Sequence, residues 1–131
     1  MRSLPLRFFI FVVILAGALE PRIAFAHTVL VRSNPVATSL IARLPTQVSL
    51  TFAERLLTLG NASINKVQVT DPMHNVISSV RSTVKGNAVY NVLNPKKIMP
   101  GTYTVSFRVS AQDGHVLTGS YYFKVSAGAK S

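Results

Sequence analysis

The sequence contains no cysteine and no tryptophan, and only 4 of its 131 residues are Asp or Glu. Without cysteine there is no disulfide scaffold, iron–sulfur cluster, thiolate zinc site or cysteine nucleophile. Long apolar runs are missing as well, apart from the 12 residues 8–19 (FFIFVVILAGAL), which are too short to span a bilayer comfortably. Against the 4 acids stand 14 Lys and Arg, so each carboxylate in a suggestive place carries more weight than in an average chain.

The apolar run follows Arg2 and Arg7 and precedes Ala24-Phe25-Ala26, the three parts of a secretory signal. Residues 1–26 are therefore expected to be a cleaved signal peptide, leaving 27–131 as one exported domain of 105 residues with no membrane span. An uncleaved signal anchor is the alternative. Losing Arg2, Arg7, Arg22 and Glu20 leaves 11 basic and 3 acidic residues, the acids being Glu54, Asp71 and Asp113. Apart from Lys96-Lys97 the cations are dispersed singly, without a basic helix or RNA-binding motif, and export also argues against a nucleic-acid partner.

Apolar and polar residues alternate over 48–52 and 102–110, the period of half-buried strands. Residues 28–32, 62–70, 76–81, 88–93 and 120–126 are rich in Val, Ile, Thr, Tyr or Phe and are also predicted to be strands. Turn pairs such as Asn34-Pro35, Asp71-Pro72, Gly86-Asn87 and Asp113-Gly114 separate them. About seven short strands predict an all-β fold, a single Greek-key β-sandwich or barrel. Its expected core is Val48, Leu50, Phe52, Val67, Val69, Tyr103, Val105, Phe107, Val109, Phe123 and Val125.

The fold leaves function open. Cleavage after Ala26 would make His27 the first residue, offering an α-amine and an imidazole that chelate one metal ion. Asp113-Gly114-His115 adds a carboxylate and a second imidazole two residues apart, on one side of an extended chain. Three nitrogens and one oxygen suit Cu(II) in a tetragonal arrangement, and Cu(II) tops the affinity order for such ligands; zinc would bind the same atoms more weakly.

Those residues belong to a longer pattern: His27, residues 31–35 (VRSNP), 50–54 (LTFAE), 100–109 (PGTYTVSFRV), 113–115 (DGH) and 119–125 (GSYYFKV). The pattern resembles the CopC family of periplasmic copper-binding proteins, across nearly all of 27–131 and most specifically in its C-terminal third. The resemblance implies one Cu(II) per mature chain, held by the His27 amine and imidazole, Asp113 and His115. Glu54 matches an acid near this site in the family, with hydrogen bonding to the site as its expected role; a direct ligand and a solvated strand-end acid are the alternatives. Further implied are a bacterial, periplasmic carrier or buffer in copper homeostasis and resistance, an inner-membrane copper transport protein as partner, and no catalysis.

Some family members add a Cu(I) site on a methionine-rich loop. Here only Met73, His74 and Met99 follow the apolar run, and Met73-His74 is expected to be a surface turn. Two other classes compete with the carrier reading. One is a copper-dependent oxidative enzyme of the N-terminal-His monooxygenase type; the other is an adhesion or interaction sandwich without metal.

Overall fold

The computed structural model of the chain describes residues 29–60, 62 and 64–128. The proposed signal segment and His27 lie outside the described residues. Eight strands form: β1 (Leu30–Asn34), β2 (Leu40–Ile41), β3 (Gln47–Phe52), β4 (Lys66–Thr70), β5 (Thr83–Lys85), β6 (Ala88–Val92), β7 (Gly101–Ser110) and β8 (Val116–Val125). They make two four-stranded sheets, ordered β1-β3-β6-β5 and β2-β8-β7-β4. Every pairing is antiparallel except that of β2 with β8.

The alternation read from the sequence decides which side of each strand faces inward. All eleven expected core residues join one buried cluster, with Leu56, Ile77, Val89 and Leu93 added. The two sheets meet through Phe52 and Phe107, whose rings pack edge to face at 5.5 Å between centroids. Within the second sheet Tyr103 stacks on its cross-strand partner Phe123, also at 5.5 Å. The Tyr103 hydroxyl donates to the Met99 carbonyl at 2.8 Å, so the ring is buried without stranding its polar end.

Asn91 of β6 is a polar tie between the sheets. It is 1% exposed, and its side-chain amide donates to the carbonyls of Val67 on β4 and of Ser79, at 3.0 and 2.9 Å. Its oxygen accepts the Ser79 N–H at 2.8 Å. The buried amide is therefore fully engaged, as an interior polar group must be.

Residues 76–81, predicted to be a strand, do not form one. They cross the edge of β4 and make only the isolated bridges Thr70 to Val76 and Ser78 to Leu93. Side chains take the ladder positions instead: the Ser78 hydroxyl accepts the Val69 N–H at 2.9 Å and the Ser82 hydroxyl accepts that of Val67 at 3.1 Å. This is the competition that hydroxyl side chains offer to regular structure. Conversely, β5 was not expected. It is a short hairpin partner of β6, joined at Gly86, whose φ of +62° suits the turn.

The last strand starts at Val116, earlier than the predicted residue 120. Gly119 lies inside it and takes no side chain because the Phe107 ring covers the position, 2.6 Å from where a Cβ would stand. On β1 the pairing with β3 shifts register between Leu30 and Arg32, a bulge at Val31.

Candidate metal centre

The long β7–β8 hairpin closes with Ser110 paired to Val116, and residues 111–115 form its tip. The turn holds itself through Ala111 N–H to the His115 carbonyl at 2.8 Å and Gly114 N–H to the Ala111 carbonyl at 2.9 Å. Gly114 has φ +89°, a left-handed conformation open to glycine at little cost. The Asp113 carboxylate completes the turn, one oxygen accepting the His115 backbone N–H at 3.0 Å. The other lies 2.7 Å from His115 Nδ1.

Both side chains face solvent, His115 being 70% and Asp113 46% exposed. Hydrogen bonds from the His115 backbone and ring hold the Asp113 carboxyl below its ordinary value. The same hydrogen bond and charge of Asp113, aided by the charge of Glu54, raise the His115 imidazole above 6.5. Exposure screens these effects, so they report geometry more than energy.

The segment leaving β3 explains how Glu54 reaches this end of the sandwich. Beyond Phe52, Ala53 N–H donates to the Val29 carbonyl at 2.9 Å, joining the start of the described chain to the residue before Glu54. Leu56 then bridges Ala111, Leu57 N–H donates to the Ser110 carbonyl at 2.8 Å, and Gln112 N–H donates to the Arg55 carbonyl at 3.1 Å. Buried Asn65 locks the hairpin base, donating to the Leu57 carbonyl and accepting the Ser110 N–H. Residues 53–57 thus carry a half-buried glutamate from one sheet to the hairpin tip of the other. In the sequence only the family resemblance pointed to Glu54, because the stitching bonds are backbone bonds and leave no composition signal.

Two of the three acids beyond residue 26, Glu54 and Asp113, therefore come to one end of a basic molecule. The third, Asp71, is taken up by its own turn. Burial works to raise its pKa, but hydrogen bonds from Asn75 and Met73 outweigh that and leave it lowered. His74 sits in this turn with φ +66°, away from the hairpin tip, as a surface turn requires. Met73 and Met99, far apart in sequence, line one depression of about 450 Å³ beside Lys96 and Lys97, and His74 does not line it. Among the described residues no three His, Asp or Glu side chains gather into a metal cage.

Residues 30–126 match the family model of the CopC domain. Copper resistance protein C of Xanthomonas campestris pv. juglandis is 31% identical over 118 residues, covering 87% of this chain and 91% of that protein. Copper resistance protein C of Pseudomonas syringae pv. tomato is 33% identical over 113 residues, covering 84% and 89%. Among solved structures, CopC from Methylosinus trichosporium OB3b superposes with a TM-score of 0.64 at 24% identity, over 80% of this chain and 99% of that one, which speaks to the fold. PcoC, a methionine-rich copper resistance protein from Escherichia coli, gives 0.59 at 27% identity over 76% and 99%.

Proposed function

The chain belongs to the CopC family, and from that premise we propose that it is an exported, periplasmic carrier or buffer for copper, binding one Cu(II) per mature chain through His27, Asp113 and His115. The observation that carries this reading is the 2.7 Å separation of Asp113 Oδ2 and His115 Nδ1 on an exposed turn. Ligand atoms about 2.0 Å from a first-row metal and at right angles to one another stand about 2.8 Å apart, so the two atoms are already spaced to hold a metal ion to one side of the line between them once the shared proton is lost.

The remaining ligands come from His27, once cleavage after Ala26 frees its amine. Val29 pairs with Ala53 next to Glu54, and two extended residues span at most about 7 Å, so His27 has this end of the sandwich within reach. Its amine and imidazole would complete a set of three nitrogens and one carboxylate, the composition that favours Cu(II) over Zn(II). Glu54, whose charge acts on His115, fits a role holding the site by hydrogen bonding rather than by ligation.

Copper is cargo here, and the proposed role is binding and release rather than catalysis. An exposed site suits an exchangeable ligand, since a partner can approach His115 directly. An inner-membrane copper transport protein is the kind of partner this implies. The test is a Cu(II) competition titration on the processed protein, with mass spectrometry confirming a start at His27. Failure to bind one Cu(II) more tightly than Zn(II) would defeat the proposal.

A further inference from the structure

The region around the edge of β4 is unusual in its charges. Lys66 stands directly across from Arg108 of β7, and like charges facing each other across a strand pair destabilise a sheet. Lys66 also lines a shallow depression of about 500 Å³ together with Arg81, where residues 76–82 cross the β4 edge. No acid lines it. Lys66 and Arg81 thus line the hollow, and Arg108 stands beside it on the neighbouring strand.

Two exposed aliphatic residues share the same depression. Val80 is 94% and Val76 57% exposed. The Ser78 hydroxyl, whose oxygen already accepts the Val69 N–H, keeps its own proton to donate. Cations, a hydroxyl donor and bare aliphatic carbon around a hollow are the complement of a protruding segment that carries carboxylates and apolar side chains.

We propose that this depression docks an acidic, aliphatic-containing segment of a protein partner. A concave site suits such a segment better than it suits a flat bilayer surface. Single-stranded nucleic acid would call for aromatic stacking, and no aromatic residue lines the hollow. The position is also suited to delivery: Arg108 lies two residues before Ser110, about 7 Å along β7 from where the hairpin tip begins. A partner seated on Lys66 and Arg108 is thereby brought beside Asp113 and His115. That purpose rests on the carrier reading above; the docking itself does not.

The test uses the processed protein, ¹⁵N-labelled, at low ionic strength. Three probes are titrated separately: a blocked peptide alternating glutamate with leucine, vesicles containing phosphatidylglycerol, and inorganic phosphate. The peptide is expected to shift the amides of Lys66, Arg108 and residues 76–81 saturably. Lys66→Glu and Arg81→Glu should each weaken it about ten-fold, whereas Lys96→Glu, the same charge change elsewhere, should leave it within about two-fold. Unchanged amide spectra away from the depression will show that the variants fold.

An equal loss in Lys96→Glu reduces the effect to net charge and overturns the proposal. So does binding by the vesicles in place of the peptide, or phosphate alone reproducing the shifts. Cu(II) binding, followed separately by electron paramagnetic resonance, should be unaltered in Lys66→Glu. A protein that binds the peptide but not Cu(II) would defeat the carrier reading and leave the docking surface standing; the opposite outcome would defeat the surface alone.

Discussion

Asp113 grips His115 twice, accepting the backbone N–H at 3.0 Å with one carboxylate oxygen and meeting the ring Nδ1 at 2.7 Å with the other. Both ionised forms are favoured, so the His115 pKa is raised and that of Asp113 lowered. What His115 contributes to stability is fully present below its unfolded value of 6.5 and is lost as pH rises through the raised folded value. What Asp113 contributes is present above 3.8 and is lost as pH falls through its depressed value. The pair is therefore complete only between those folded values. An NMR titration of the metal-free protein should show the His115 midpoint above 6.5, moving down in Asp113→Asn. An unchanged midpoint in that variant would break the assignment.

Removing the proposed ligands should separate them from their neighbours. His115→Ala and Asp113→Ala should each weaken Cu(II) by more than the roughly 10–100-fold that loss of an outer-shell partner costs, with the larger loss for His115. His74→Ala, in a turn away from the hairpin tip, should change nothing. A His74 variant that lost copper would move the site to the opposite loop.

The N-terminal half of the proposed site depends on processing. A protein carrying one extra residue before His27 displaces the amine from its imidazole and opens the chelate. It should fold normally, because the buried core is built from residues between Val48 and Val125, yet bind Cu(II) orders of magnitude more weakly. Equal affinity would remove His27 from the ligand set.

Soft-metal binding should be weak. Met73 and Met99 bring two thioethers to one depression, but His74 does not line it, and Lys96 and Lys97 add positive charge. Anaerobic competition should find no picomolar Cu(I) site in addition to the proposed Cu(II) site. A second site of that strength would direct mutagenesis to Met73 and Met99.

Asn91→Ala should destabilise the fold by about 3 kcal/mol, because it strands the buried Val67 carbonyl and the Ser79 N–H and leaves a small void. Urea unfolding would register this as a lower midpoint with little change in slope. A loss below about 0.5 kcal/mol would show that water replaces the amide without penalty.

The core was legible in the sequence because period-two alternation is a strong signal where one face is buried, as over residues 48–52 and 102–110. Failures came where side chains act as backbone. Val, Ile and Ser in residues 76–81 read as a strand, yet the Ser78 and Ser82 hydroxyls occupy the ladder and leave Val80 in solvent. The last strand was predicted to start at residue 120, but it runs from Val116 through Gly119, which sits against the Phe107 ring. At the candidate site, Asp113 and His115 were visible as a motif, whereas the approach of Glu54 depends on tertiary backbone bonds between residues 53–57 and the hairpin.

The four sheet edges, taken together, bear on how this protein behaves when crowded. The β4 edge has its Val67 and Val69 N–H groups already satisfied by serine hydroxyls. β1 is distorted by its bulge, β2 is two residues long, and β5 is three residues long and ends in Lys85. Each device denies an incoming strand a straight row of donors and acceptors. A chain whose regular structure, among the described residues, is all strand can in this way stay dispersed at high concentration, where an open edge would seed cross-β fibrils.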